Sequence, residues 1–206
     1  MRPSGLRQTP SLPRRLLALV AVLPMAAAAH TGVDGHAHLG FLTGFLHPLT
    51  GMDHLAAMVS VGLWSALAAR RAGPEWLWGP LGFAAMLLAG ALLGLQGLQI
   101  PAVEPMIAAS LLVCGLLVIT RWQVAGFAVA LLVGVFALFH GLAHGYELAN
   151  GPSAASTLAG MLTATVLLHA SGLGLGWALR SANHWIPRVA GACVALFGVT
   201  LLARLA

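Results

Sequence analysis

The sequence predicts an all-α protein: a polytopic membrane helix bundle of about six transmembrane helices behind a cleaved signal peptide. Three observations carry that prediction. Hydrophobic residues make up 59% of the 206 and charged residues only 7%, against roughly a quarter charged in soluble domains. The apolar residues fall into long runs divided by short polar or Gly/Pro-containing breaks, each about long enough to cross a hydrocarbon core as helix. None of the runs has the period-two alternation of an outer-membrane barrel.

Taking the chain in order, residues 1–29 read as a secretory signal. Arg2, Arg7, Arg14 and Arg15 open it, an apolar stretch covers 16–25, and Ala26-Ala27-Ala28-Ala29 offers an A-x-A cleavage site. The apolar stretch is short for a membrane span, which favours cleavage over anchoring. Removing this segment leaves six arginines against five acids, so the formal charge of +5 on the whole chain describes the leader more than the mature protein. The remaining arginines are scattered and there is no lysine. A nucleic-acid partner is therefore excluded for want of a basic cluster.

Residues 30–44 form the next unit, a periplasmic histidine-containing segment leading into a short half-helix over 39–46. Its start, His30-Thr31-Gly32-Val33-Asp34-Gly35-His36-Ala37-His38, is polar and glycine-containing. His30, Asp34, His36 and His38 are competent to collect a divalent cation loosely, as an accessory to a main site. The transmembrane domain occupies 45–206. Pro48 and Gly51 separate the half-helix from a first span over 52–69, and Arg70-Arg71-Ala72-Gly73-Pro74 ends that span. Further spans fit 76–98, 105–120, 124–144, 156–179 and 185–205.

Loop charge predicts orientation. Arg70 and Arg71 lie between spans one and two, Arg121 between three and four, and Arg180 and Arg188 between five and six, while the other two loops have no basic residue. The positive-inside rule places the arginine loops in the cytoplasm of a bacterial inner membrane and the mature N-terminus in the periplasm. The export signal independently requires the same arrangement. Asp34, Asp53, Glu104 and Glu147 then face outward, giving an acidic mouth that concentrates cations.

Two stretches carry chemistry. Phe139-His140-Gly141-Leu142-Ala143-His144-Gly145-Tyr146-Glu147 closes a long apolar run, and at about 100° per helical residue His140, His144 and Glu147 fall within roughly 60° of one another. One helical face thus presents two imidazoles and a carboxylate. Gly141 and Gly145 stand beside the histidines in a G-x-x-x-G arrangement, so another helix is expected to approach there and add ligands. The donor expected is Leu46-His47-Pro48-Leu49-Thr50-Gly51-Met52-Asp53-His54, which the topology brings to the same outer end. Ionisable groups at membrane depth are costly unless paired, so His47, Asp53, His54, His140, His144 and Glu147 are assigned to a divalent-metal site rather than to polar helix contacts.

Other polar residues weigh differently. His169 lies mid-span on a face with Thr165, Gly172 and Gly176, where helix packing and a step on an ion pathway are both open. His184 sits near a cytoplasmic interface, where a neighbouring carbonyl or hydroxyl satisfies it. Cys114 and Cys193 are deep in spans and distant from the histidines, so they read as small apolar residues, not as a thiolate site.

The two motifs, with the signal peptide ahead of them and in this order, resemble the signatures of the HupE/UreJ family, hydrogenase and urease accessory proteins regarded as nickel permeases. The resemblance covers essentially the whole mature chain. It implies uptake of Ni²⁺, with Co²⁺ as a second cargo, for loading into a nickel enzyme, and it places the functional positions at His47, Asp53, His54, His140, His144 and Glu147, with His36 an addition. It implies no prosthetic group, no catalysis, and as partners the metal ion and the lipid bilayer; a homo-oligomer or an energising partner is left open. Without the resemblance, imidazole plus carboxylate suits Ni²⁺, Co²⁺, Zn²⁺ and Cu²⁺ alike. Two rival readings are a membrane haem protein and an intramembrane metallohydrolase. The first has histidines but no C-x-x-C-H attachment motif, and the second lacks H-E-x-x-H, since Glu147 follows His144 by three residues.

Overall fold

A computed structural model describes residues 40–71, 73–124, 126–149 and 153–205. The expected signal peptide (1–29) and the collecting residues His30, Asp34, His36 and His38 lie outside the described residues. Helices α1 (Phe41–Thr50), α2 (Met52–Ala68), α3 (Trp78–Leu95), α4 (Val103–Thr120), α5 (Phe127–Leu148), α6 (Ala154–Leu179) and α7 (Trp185–Leu205) follow one another, with a 3₁₀ turn at Pro74–Leu77 ahead of α3. Among the described residues there is no strand. Closing every backbone hydrogen bond within its own segment is what a hydrocarbon surrounding demands.

Five segments are long and apolar enough to cross a membrane: Pro74–Leu95 and helices α4, α5, α6 and α7. At 17 residues α2 is shorter than these, yet it is the central helix. It packs on α1, α3, α4, α6 and α7, and residues 60–68 are buried without a break. Met58, Val61 and Trp64 of α2 join Phe83 and Leu87 of α3, Val118 of α4, Val133 of α5 and Leu168 of α6 in one core. Outward-facing leucines and valines such as Leu131, Val166 and Leu196 remain exposed, as suits a surface bathed in lipid.

Small residues set the pairing. Lipid gives helices no hydrophobic reason to associate, so close backbone approach and van der Waals contact must do it. Gly115 of α4 lies against Gly191 and Ala195 of α7; Gly62 of α2 against His169 and Gly172 of α6; Gly44 of α1 against Thr157 of α6. Along α3 and α5 the fit continues, with Gly90 and Gly94 facing Leu138 and Leu142, and Gly141 and Gly145 facing Leu87 and Ala91. Here an expectation is corrected: the helix that enters the G-x-x-x-G groove beside His140 and His144 is α3, which brings no ligand. At about 100° per residue Gly141 and Gly145 are turned away from the histidine face, so the ligand-bearing segment docks on a different side of α5.

The half-helix is also longer than expected. Helix α1 does not stop before Pro48 but runs through it to Thr50, with Pro48 buried inside the helix. The single interruption is Gly51, whose ψ of 108° leaves the helical region while its N–H still bonds to the His47 carbonyl at 2.9 Å. Thr50 Oγ1 donates to the Leu46 and His47 carbonyls, each at 3.1 Å, and so satisfies acceptors at the helix end.

Contacts at the far end of α2 gather the arginine loops. Trp64 Nε1 donates to the Trp122 carbonyl at 3.0 Å, Arg70 Nε to Gln123 Oε1 at 3.1 Å, and Arg180 to the Ala69 and Arg70 carbonyls. The segments before α3, before α5 and after α6 therefore meet at one end of the bundle, and the histidine motifs lie at the other.

Glycine spacing makes a test of the packing. Gly115→Ala puts a Cβ against Gly191 and Ala195 backbone atoms and should destabilise by about 1–3 kcal/mol through overpacking. Gly174→Ala, where nothing lies within 4 Å of the new Cβ, should be neutral or stabilise by about 0.5–1 kcal/mol. Unfolding of the two purified variants in detergent measures the difference, and equal stability would remove the close-approach account.

Candidate metal centre

Seven residues separate His47 from His54, two helical turns. In one straight helix they would share a face but stand about 10 Å apart along the axis. The turn in the chain at Gly51 brings the two rings to a centroid separation of 5.5 Å, edge to face. From α5, His144 comes to 4.6 Å from both His47 and His54, and His140 to 4.9 Å from His54. Ligand atoms of His47, His54 and His144 all lie within 4.8 Å of one another, and among the described residues this is the group of three or more such side chains that meets. His54 and His144 are buried and His47 is half-buried, so the cluster opens toward the end of the bundle from the His47 side.

Both carboxylates attach to rings of the cluster. Asp53 Oδ1 accepts from the His54 backbone N–H and lies 2.9 Å from His54 Nδ1, so a proton on Nδ1 is held and the Nε2 lone pair is left for an ion. Glu147 Oε2 is 3.4 Å from His144 Nδ1 and plays the same part more loosely. A carboxylate behind each imidazole fixes the tautomer and makes the ligand more basic. The consequence shows between the rings, where His54 Nε2 and His144 Nε2 stand 2.5 Å apart. Two lone pairs aimed at each other there need a shared proton or cation between them. Around one tetrahedral ion, two imidazole nitrogens at about 2.1 Å each sit roughly 3.4 Å apart, so these two rings would have to part to share one ion.

His140 is fully buried one step deeper. Ser110 of α4 donates its hydroxyl to the Ile107 carbonyl at 2.6 Å, so its oxygen accepts from His140 Nε2 at 3.1 Å, and His140 Nδ1 is left without a partner. The sequence reading missed Ser110. Its signal was a single hydroxyl inside the otherwise apolar run 106–119, which identifies a buried polar contact but not its partner. His169 is not in the group of His47, His54 and His144; its ring and that of His140 both touch the Phe83 ring. Cys114 is buried and Cys193 exposed, both free thiols and neither in the cluster.

The donor set is three imidazole nitrogens with carboxylates behind two of them. Such a set holds a borderline divalent ion, leaves coordination positions for water and has no thiolate to trap a softer one. A site that must release its ion needs a few exchangeable ligands rather than a closed cage.

Comparison with known proteins gives the family of the chain. Residues 17–201 match the family model described as HupE / UreJ protein. The chain is 40% identical over 190 residues to Protein HupE of Rhizobium leguminosarum bv. viciae, an alignment covering 91% of this chain and 97% of that relative. No solved structure matches.

The carboxylate roles give the prediction here. Asp53→Asn keeps the size and an acceptor but loses the charge, and Glu147→Gln does the same; each should weaken divalent-metal binding by about 10–100-fold, with Asp53→Asn the worse because its contact to the ring is shorter. Binding should also weaken as pH falls, because protons compete for the imidazole nitrogens. Titration of the purified variants with Ni²⁺ across pH 5.5 to 8 reads both effects; pH-independent affinity would exclude the imidazoles as ligands.

Proposed function

The chain belongs to the HupE/UreJ family, and from that premise we propose that it is a permease for uptake of divalent nickel, with cobalt as a second cargo, supplying the maturation of hydrogenase or urease. The observation that carries this reading is the convergence of His47, His54 and His144 from α1, α2 and α5 on one point near the end of the bundle. His140 continues the donor path inward, and Asp53 and Glu147 orient the rings. The choice of nickel rests on the family; geometry and donor chemistry support a divalent ion of that hardness.

In this reading the arginine-bearing end faces the cytoplasm and the histidine end the periplasm of a bacterial inner membrane. The ion exchanges part of its water for imidazoles at the outer cluster, and the carboxylates offset the loss of hydration. An inward potential of 100 mV is worth about 4.6 kcal/mol to a divalent cation, at about 2.3 per charge, which drives inward movement without a nucleotide. Residues 30–38 act as a collecting segment ahead of the site.

Uptake of radioactive nickel tests the proposal. His54→Ala and His144→Ala each remove one of few ligands and should abolish uptake at low external nickel, whereas His30→Ala or His38→Ala should reduce it partly and less as nickel rises. Normal transport by the His54 and His144 variants would make these residues polar helix contacts. Competition with cobalt, zinc and copper in the same assay ranks the cargo.

Orientation has its own test. A reporter active only in the cytoplasm should be active when fused after Arg71, Arg121 or Arg188 and silent when fused within Asn150-Gly151-Pro152. The opposite pattern would turn the cluster to the cytoplasm and end the uptake model.

A further inference from the structure

Beneath the outer cluster the protein keeps a line of polar atoms that nothing satisfies. His140 Nδ1 is one. His169 on α6 supplies two more: the residue is 2% exposed and both ring nitrogens lack a hydrogen-bond partner. The Thr165 backbone, one turn earlier, comes near the ring without the geometry of a hydrogen bond, and the Thr165 hydroxyl is committed to the Met161 carbonyl at 2.8 Å. Ser65 Oγ on α2 is likewise buried and unpartnered. Buried polar groups are paired in nearly all cases, so each exception asks for a reason.

These atoms are ordered in space. The Phe83 ring touches both histidines, 5.7 Å from His140 and 5.1 Å from His169 by centroid. The His169 backbone is clamped to Gly62 of α2, and Ser65 is three residues further along that helix toward the arginine end. Ser65 in turn lines a cavity of about 510 Å³ at that end, together with Trp64, Arg70, Glu75, Trp78 and Gln123. From the outer cluster the series is thus imidazole, aromatic ring, imidazole, hydroxyl, cavity with a carboxylate.

We propose that His169 is an inner binding stop for the divalent cation, reached from His140 past Phe83 and emptied toward the Ser65 and Glu75 cavity. The proposal rests on the outer cluster being the entry site. A hydrophobic ring in contact with both imidazoles limits the water that the two polar sites share, while a bare, weak inner ligand lets the ion leave. His169 offers a lone pair on one nitrogen and a donor on the other in either tautomer, so it can hold the ion and one of its waters.

The test compares His169→Cys with His169→Ser in the full-length protein. The two side chains leave nearly the same void, but cysteine is the better single ligand, and one ligand alone does not close a cage around the ion. Nickel binding by the purified variants, which reports the outer cluster, should match that of the unaltered chain. Nickel uptake by cells should fall roughly tenfold or more for His169→Ser, the scale on which losing a metal-supporting group acts, and His169→Cys should retain several times the uptake of the serine variant. Equal uptake by the two variants, whether normal or lost, overturns the inner stop and makes His169 a packing residue. His54→Ala, run alongside, should lose nickel binding; if it does not, the entry site is misassigned, which is a separate failure from equality of the Cys and Ser variants.

Discussion

The site depends on one bend. Without the turn at Gly51, His47 and His54 would stand two helical turns apart on a single rod, and no third helix could reach both with one imidazole. The joint is short because both sides stay hydrogen-bonded: the Gly51 N–H closes α1 on the His47 carbonyl, and the Gly51 carbonyl accepts from Leu55 to start α2. A break in a helix at membrane depth survives only where its freed polar groups find partners. Here the bend does so in place, and no flexible loop is introduced into the binding site.

Everything around that bend fixes its direction. Helix α1 is pinned to α6 through Gly44 and Gly160, and α2 to α6 through Gly62, Gly172 and Gly176. A single helix therefore holds both arms of the bend at a set angle. Helix α5, bearing the other histidines, is held in turn by α3 through interdigitated glycines and leucines. The ligands thus come from two separately clamped pairs.

Charge is placed behind the ligands instead of among them. Asp53 and Glu147 lie on the Nδ1 side of His54 and His144, where they orient the rings and place negative charge beside the cluster. Ser110 does for His140 what the carboxylates do for the outer rings, without adding charge at greater depth.

Sequence alone determined the helical class and the membrane setting, because apolar run length is a one-dimensional property; of the six residues that it assigned to a metal site, the structure brings His47, His54 and His144 into one group and leaves His140, Asp53 and Glu147 outside it. Sequence also placed a discontinuity between His47 and Asp53. It could not choose between Pro48 and Gly51 as the break, since a proline is tolerated within a helix when its surroundings absorb the lost bond, and that is a property of neighbours. It sent the wrong helix into the Gly141 and Gly145 groove, because a small-residue stripe advertises close approach without naming the partner. The division of labour within the cluster, with Asp53 and Glu147 behind the rings and His140 held by Ser110, and the contact of Phe83 with both His140 and His169, were read only from the structure. The Ser110 and Phe83 relations join residues tens of positions apart on different helices, and only the packed bundle brings them within hydrogen-bond or ring-contact distance.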